Sequence, residues 1–135
     1  MTEPATDAPP PEFAGFFENA AAGRLAFPYC RHCGQFHWYP MPRCPHCRGR
    51  DITWRPIAGR GEIFSFTRVL HPFDKSRVHT LPYVVALVIF ADAPGIRLIT
   101  NIVGCGLAEL RIGLTVEPVF GTDKNGQPVV DFRPT

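Results

Sequence analysis

The sequence predicts a mainly β protein with one short N-terminal helix, and three observations support this fold class. The chain has 15 prolines and 12 glycines in 135 residues, which favours short strands and turns over long helices. After residue 50, short apolar runs follow one another with turn residues between them. Two Cys-x-x-Cys pairs lie close together in the first third of the chain.

Composition and charge exclude several classes of protein. Hydrophobic residues make up 45% of the chain, as in globular proteins, and the formal net charge of +2 is too small to indicate a polyanionic partner. No apolar run approaches the roughly 20 residues that span a bilayer. The first thirty residues show no secretory signal, so we expect a cytoplasmic protein. The length of 135 residues leaves room for one compact domain and a small appendage.

The N-terminal part divides into a tail and a helix. Residues 1–11 contain four prolines and no apolar pattern, which predicts a disordered tail. Residues 12–23 are predicted to form the helix, and Gly23 is a plausible end. The apolar residues at helical spacing are Phe13, Phe16, Phe17 and Ala20. Three phenylalanines on one surface helix also favour contact with a partner.

The two cysteine pairs, C-R-H-C and C-P-H-C, predict a metal site. They supply four thiols within eighteen residues, from Cys30, Cys33, Cys44 and Cys47. Two thiolates spaced by two residues can hold one ion from a single turn, and a second pair completes the tetrahedral S4 shell that suits Zn²⁺. The sequence therefore predicts a rubredoxin-like zinc ribbon at residues 24–50, with a short hairpin between the pairs. A closed S4 shell has no open position for water, so the zinc is structural.

Paired disulfides and a redox centre are the alternatives for the same cysteines. A reducing cytosol disfavours structural disulfides. A thioredoxin-like centre lies at a strand-to-helix junction, whereas these pairs flank aromatic and proline-rich sequence. The pattern favours zinc over both.

Residues 51–135 predict a five-stranded OB-fold barrel. Ile52–Ala58 and Glu62–Leu70 are interpreted as one bent strand. The other four predicted strands are Tyr83–Phe90, Ile96–Val103, Val116–Phe120 and Val129–Phe132. Tyr83–Phe90 is almost wholly apolar, as in a strand covered on both faces. A short helical turn before the fourth strand and an Asn-Gly hairpin turn complete the succession typical of an OB-fold, and a small β-sandwich is the alternative.

Several stretches taken together resemble one known family. They are F-F-E-N-A-A-A-G-R-L, C-R-H-C-G-Q-F-H-W-Y-P-M-P-R-C-P-H-C, G-R-G-E-I-F-S-F-T, P-Y-V-V-A-L-V, L-I-T-N-I-V-G-C, L-R-I-G-L-T-V-E-P-V-F and F-R-P. The chain resembles the zinc-ribbon plus OB-fold family called domain of unknown function 35. The resemblance implies a non-catalytic accessory subunit that binds a thiolase-fold acyl-CoA enzyme, of thiolase or steroid side-chain aldolase type, and supports acyl-CoA binding. A hotdog-fold enoyl-CoA hydratase is the alternative partner.

The candidate residues for contact with the partner or CoA lie on the helix and the ribbon. They are Phe16, Phe17, Arg31, His37, Trp38, Tyr39 and Arg43. The aromatic residues cannot all be buried in so small a ribbon, and Tyr, Trp and Arg dominate binding hot spots. The ribbon arginines, which include Arg48 and Arg50, could contact the phosphates of CoA or only solubilise the ribbon, and both interpretations stay open.

No nucleophile accompanied by a base and an orienting acid is recognisable, so no catalytic residue is predicted. Cys105 follows an apolar strand and is interpreted as a buried filler, and His71 and His79 as residues of a solvated loop. A single-stranded nucleic-acid-binding OB protein is the alternative from another class. Its candidate residues are Phe64, Phe66, Phe73, Lys75 and Arg77. The nearly balanced charge and the alternation of the strand aromatics disfavour it.

Overall fold

The computed structural model describes residues 10–71 and 82–135. The predicted tail therefore lies almost wholly outside the described residues, as do Phe73, Lys75, Arg77 and His79. In the described part of the chain, no helix is long and apolar enough to cross a membrane.

The predicted N-terminal helix is confirmed. A 3₁₀ turn at Pro11–Phe13 leads into helix α1, Ala14–Ala21. Proline suits this first turn because its missing N–H would have no partner there in any case. The helix ends at Ala21, and Gly23 follows its C-cap with a φ of +76°, in the left-handed region, and an N–H that donates to the Ala20 carbonyl at 3.0 Å. Its apolar stripe faces inward, with the side chains of Phe16 and Ala20 buried.

The ribbon is built on a three-stranded antiparallel sheet. Its strands are β1, Leu25–Cys30, β2, Gln35–Phe36, and β3, Ile52–Ile57, in the order β2-β1-β3. The central strand β1 is almost entirely buried, because helix α1 packs on it and its Phe27 ring contacts Phe90 of the barrel. The register between β1 and β3 runs from Leu25 opposite Ile57 to Cys30 opposite Ile52.

Two predictions about this region are wrong. Ile52–Ala58 and Glu62–Leu70 do not form one bent strand, because β3 belongs to the ribbon sheet. The extended conformation is interrupted at Gly59, which has a φ of +88°. The predicted hairpin does not lie between the two cysteine pairs either. It encloses the first pair, since Tyr29 and Cys30 of β1 face Phe36 and Gln35 of β2. A sequence pattern identifies a strand but not its neighbours.

The predicted OB-fold barrel is confirmed. Its strands are β4, Gly61–Val69, β5, Tyr83–Phe90, β6, Ala93–Ile102, β7, Thr115–Thr122, and β8, Pro128–Pro134. They close in the order β4-β5-β6-β8-β7, with one parallel contact, Ile102 opposite Phe132, between β6 and β8. A 3₁₀ turn at Leu107–Glu109 precedes β7, as expected. A closed five-stranded barrel with this order is an OB-fold and not a sandwich.

The strand β5 departs from the prediction that both its faces are covered. Its residues alternate between buried positions, such as Val88, and half-buried positions, such as Leu87, so only the inner face is fully enclosed. The outer face is apolar but partly open, because no second layer packs on a barrel wall.

The cores of the ribbon and the barrel meet. The ring of Phe27 on β1 lies 5.4 Å from that of Phe90 on β5, and Phe90 lies 5.8 Å from Phe132 on β8. Phe27 and Phe132 are fully buried. One apolar cluster therefore continues from the helix through the ribbon into the barrel.

Candidate metal centre and contact surface

The four predicted ligands form one compact cluster of sulfur atoms. Their Sγ atoms all lie within 4.8 Å of one another, with 3.6 Å between Cys30 and Cys47 and 3.6 Å between Cys33 and Cys44. A tetrahedral site with Zn–S bonds of about 2.3 Å needs sulfurs about 3.8 Å apart. The cluster fits that shell with little adjustment.

The local backbone explains why the sulfurs converge. Cys30 is the last residue of strand β1, and the chain reverses direction in the turn that follows. Gly34, with a φ of +73°, ends this turn and donates its N–H to the Cys30 carbonyl at 2.8 Å. The second pair repeats this geometry. Arg48, with a φ of +65°, donates its N–H to the Cys44 carbonyl at 2.8 Å.

Backbone N–H groups surround the second cysteine pair. The amide of His46 donates to the Cys44 sulfur at 3.4 Å, and that of Gly49 donates to the Cys47 sulfur at 3.3 Å. A side chain at position 49 would place its Cβ only 3.2 Å from the Cys47 sulfur. Glycine therefore permits the close approach, and the N–H groups stabilise negative charge on sulfur.

The thiol pKa values differ within the cluster. Burial raises the pKa of Cys44, but N–H groups of Cys47 and His46 more than offset this, and its pKa falls to about 6. Burial and the neighbouring Cys44 sulfur raise the pKa of Cys33 to about 12. In the absence of metal, thiolate character is thus concentrated on Cys44. A soft divalent cation is what allows all four sulfurs to ionise together.

This donor set supplies four thiolates, so a tetrahedral ion bound to it has no coordination position open to water or substrate. Zn²⁺ is the ion that such a closed, tetrahedral sulfur shell fits best. The four cysteines hold a structural zinc ion, whose role is to tie β1 and β2 to the second turn. The chemistry of the site is stabilisation and not catalysis.

An aromatic cluster joins the ribbon to helix α1. The indole of Trp38 lies 5.2 Å from the rings of both Phe16 and Phe27 and 5.7 Å from that of Phe13. The ring of Tyr39 packs edge-on against Phe13 at 4.8 Å. Helix α1 thereby fixes the orientation of the ribbon loop that carries these side chains.

The predicted contact residues divide by exposure. Phe16 and His37 are buried, Phe17 and Trp38 are half-buried, and the exposed ones are Arg31, Tyr39 and Arg43. Burial and the charge of the neighbouring His46 lower the pKa of His37, against an opposing contribution from the Met41 backbone. The expectation that Phe16 and His37 contact a partner directly does not fit their burial. Phe16 packs instead against the rings of Phe17 and Trp38, at centroid distances of 5.5 and 5.2 Å.

Other predicted residues occupy less informative positions. Cys105 is half-buried, although the sequence predicted a buried residue. Burial, and to a lesser extent the nearby Glu109 carboxylate, raises the pKa of its thiol. A thiol of raised pKa is a poor nucleophile at neutral pH. His71 is exposed, as expected for a loop residue, and Phe66 packs against the barrel core.

Sequence reasoning missed one member of the exposed apolar surface. Met41 is 45% exposed, two residues beyond Tyr39, which is 55% exposed. The signal was present in the run F-H-W-Y-P-M, where an apolar residue between two prolines has no strand or helix to bury it. Tyr39, Met41, Phe17 and Arg43 are called the helix–ribbon surface below.

Two family profiles cover most of this architecture. The rubredoxin-like zinc ribbon domain of ChsH2 matches residues 17–53, and the C-terminal OB-fold domain of ChsH2 matches residues 54–121. The chain belongs to the ChsH2 family. The resemblance to domain of unknown function 35 is confirmed, because a related scaffold protein and a similar solved structure both carry that name.

Relatives of this ChsH2-family chain are named as subunits or scaffolds. A probable enoyl-CoA hydratase alpha subunit of Thermomonospora curvata is 37% identical over 103 residues, which are 76% of this chain and 31% of that protein. A DUF35 domain-containing scaffold protein of Methanocaldococcus jannaschii is 29% identical over 67% of this chain and 63% of its own. The chain thus spans less than two thirds of either relative.

A solved structure matches nearly the whole ChsH2-family chain. It is a chain of the Ltp2-ChsH2(DUF35) aldolase, with a TM-score of 0.84 and 32% identity over 96% of this chain and 98% of that chain. The agreement covers both the ribbon and the barrel, so the two regions are arranged alike in both chains.

Proposed function

We propose that this chain is a non-catalytic accessory subunit of a thiolase-fold acyl-CoA enzyme, of the thiolase or steroid side-chain aldolase type. The observation that carries the proposal is the likeness, over 96% of the chain, to a chain of the Ltp2-ChsH2(DUF35) aldolase. The closed sulfur shell of the zinc site supports a non-catalytic role, since it offers no coordination position to a substrate. The four thiols also suit a reducing compartment such as the cytoplasm.

The helix–ribbon surface is our proposed docking site for the enzyme subunit. Tyr39 is 55% exposed, yet its ring is held edge-on by Phe13 at 4.8 Å. A side chain that is already ordered loses little entropy on binding, and tyrosine is enriched in hot spots. Met41 adds adaptable apolar area beside it.

The ribbon that carries this surface also bears exposed positive charge, and Arg43 itself belongs to the surface. Arg43, Arg48 and Arg50 are exposed and form no ion pair with the residues that the structure describes, whereas Arg31 pairs with Asp51 at 3.1 Å. An enzyme surface that combines apolar and acidic side chains would complement both features. The same arginines would support binding of acyl-CoA if its phosphates reach the ribbon.

Co-expression with a thiolase-fold aldolase subunit tests the proposal. We expect one heteromeric peak in size-exclusion chromatography, and Tyr39→Ala to weaken the complex tenfold or more, as loss of a hot-spot residue does. Ile112→Ala is the matched control, because Ile112 is 70% exposed on a barrel loop. Two separate peaks with the intact chain, or equal effects of both substitutions, would contradict the proposal.

A hotdog-fold enoyl-CoA hydratase is the second candidate partner. It is favoured by the similarity to the probable hydratase alpha subunit of T. curvata, although this chain spans only 31% of that protein. The same chromatography with a hydratase partner distinguishes the two. A complex with the hydratase and none with the aldolase would replace the first candidate by the second.

A further inference from the structure

The outer wall of the barrel carries an apolar row along β5. The side chains of β5 that point away from the barrel interior are Tyr83, Val85, Leu87 and Ile89, and all four are half-buried. Outward positions of an antiparallel strand are usually polar when water covers that face. An apolar row at such positions therefore indicates a surface that another layer covers.

The two neighbouring strands widen this apolar row. On β6, Ile99 lies directly opposite Leu87 and is 69% exposed. On β4, Phe64 is 39% exposed, and the guanidinium carbon of Arg97 on β6 lies 4.4 Å from the centroid of its ring. The two side chains thus meet across β5, and the contact holds the arginine in place without consuming its N–H donors. The name barrel face is used below for Phe64, Val85, Leu87, Ile89 and Ile99.

Two opposite charges flank the barrel face at the same level of the sheet. Glu62 on β4 and Arg97 on β6 both lie opposite Ile89 of β5, one on each side of it. Both charged residues are exposed, and neither forms an ion pair within the residues that the structure describes. Each charge is therefore available to a partner that presents the opposite charge.

A second copy of the chain presents both charges at matching positions. When two barrel faces pack about a two-fold axis parallel to β5, each β5 lies over the other β5, and each β4 lies over the β6 of the other copy. Glu62 of either copy then faces Arg97 of the other, and the apolar side chains of the two β5 strands meet at the axis. A two-fold axis across the strands would place β4 over β4 and could not bring these charges together.

We propose that the barrel face binds a second copy of this chain, in a symmetric dimer whose two-fold axis runs parallel to β5. A face three strands wide and eight residues long covers about 400 Å², against roughly 800 Å² per partner in a standard interface. The dimer is therefore transient, with a dissociation constant of about 1 µM or higher. It is separate from the proposed function, because the barrel face and the helix–ribbon surface share no residue.

Sedimentation of the zinc-loaded chain alone, from about 1 µM to about 1 mM, tests the dimer. We expect monomer at the lowest concentration and dimer at the highest. Ile99→Asp buries a charge in the interface and should weaken the dimer at least about tenfold. Ile112→Asp is the matched control, because Ile112 is 70% exposed but lies outside the barrel face, and it should leave the dimer unchanged. Zinc content and far-UV circular dichroism check that each variant is folded.

An exchange of charges tests the position of the two-fold axis. Glu62→Arg or Arg97→Glu places like charges opposite each other at both ends of the dimer, so either variant alone should dimerise at least about tenfold more weakly. In an equimolar mixture of the two variants, opposite charges face each other again at both positions. The mixture should therefore form the dimer that neither variant forms by itself.

Three results would overturn the proposal: a chain that stays monomeric over the whole range, a dimer that Ile99→Asp leaves intact, or a mixture that dimerises no better than its components. If the chain alone stays monomeric and Ile99→Asp instead disrupts a complex with an enzyme subunit, the barrel face binds that subunit and not a second copy. Tyr39→Ala should not affect the dimer. Failure of the dimer is therefore distinguishable from failure of the proposed docking site.

Discussion

The ribbon and the barrel of this chain are stabilised by different means. The barrel is closed, and its interior is filled by buried side chains from every strand, such as Ile63, Val88, Val116 and Phe132. The ribbon has one buried strand, β1, and a long stretch without regular structure between Phe36 and Ile52. Four sulfurs and a zinc ion replace the missing core there. A unit too small to bury enough apolar surface gains its stability from a metal.

The comparison also shows where the two regions depend on each other. Phe27 touches Trp38 of the ribbon at 5.2 Å and Phe90 of the barrel at 5.4 Å, so the apolar cluster crosses the boundary. Both tryptophans of the chain, Trp38 and Trp54, lie on the ribbon side. Tryptophan fluorescence therefore reports on the ribbon, and far-UV circular dichroism reports mainly on the barrel.

Cys44→Ser should have the largest effect on the ribbon. The substitution removes one of four zinc ligands, and zinc binding contributes about 10–16 kcal/mol in small zinc domains. We expect loss of bound zinc and exposure of the ribbon tryptophans, while most of the barrel's β signal persists. Elemental analysis and the two spectra measure these changes.

Cys105→Ser is the matched control, because Cys105 is the one cysteine outside the cluster. It should retain zinc and both spectra. Unchanged zinc content in Cys44→Ser would refute the assigned ligand set. Loss of the barrel signal together with the zinc would show that the shared cluster around Phe27 makes the two regions one cooperative unit.

Phe132→Ala should affect the barrel instead. Phe132 is fully buried and pairs with Ile102 where β6 and β8 meet. Replacement of a buried phenylalanine by alanine costs about 3–5 kcal/mol through lost burial and the cavity that remains. Urea titration should show a lower midpoint for the far-UV signal, with zinc retained in the absence of urea. Release of zinc from the folded variant would contradict the division of stability between the regions.

The contrast between the regions also explains what the sequence could predict. Cysteine spacing specified the ligands, because two-residue gaps fix the turn geometry, and the order of strands β4 to β8 followed from apolar runs and turns. The partner of Ile52–Ile57 could not be predicted, since its alternation fits either sheet and only the break at Gly59 decides between them. The burial of His37 gave no signal either, because a histidine among exposed aromatics looks like a surface residue.

The zinc affinity should fall as the pH falls. The pKa of Cys33 is about 12, so zinc must displace its proton at every pH between 6 and 8. This alone weakens zinc binding about tenfold for each pH unit by which the pH falls. Cys44 adds to this near its pKa of about 6. Its folded pKa lies below the ordinary value of 9, so its contribution to the stability of the metal-free fold is present above pH 9 and is lost as the pH falls through 6.

Competition with a chelator of known affinity at pH 8 and pH 6 measures this dependence. We expect an affinity at least about 100-fold lower at pH 6 once the chelator's own protonation is subtracted. The far-UV signal of the barrel should not change over the same range, which keeps the effect within the ribbon. An affinity that is independent of pH would mean that the thiols are already ionised without the metal.

The smallest effect concerns the link between the two regions. Gly59 is buried with a φ of +88°, and a Cβ there would lie 2.9 Å from Cγ of Pro118 on β7. Gly23 has a similar φ of +76° but no atom within 4 Å of an added Cβ. Alanine at either position costs about 1–2 kcal/mol for the left-handed backbone, and only Gly59→Ala adds the clash with a rigid proline ring.

Urea titrations of Gly59→Ala and Gly23→Ala isolate the effect of that clash. We expect the greater loss of stability for Gly59→Ala, by about 1–2 kcal/mol. Gly59 joins β3 to β4, so the fluorescence and far-UV transitions should shift together in this variant. Equal losses of stability for the two substitutions would mean that the chain around Gly59 relaxes away from Pro118 without a further loss of stability. The ribbon would then be attached to the barrel by its apolar contacts and not by the geometry of the chain.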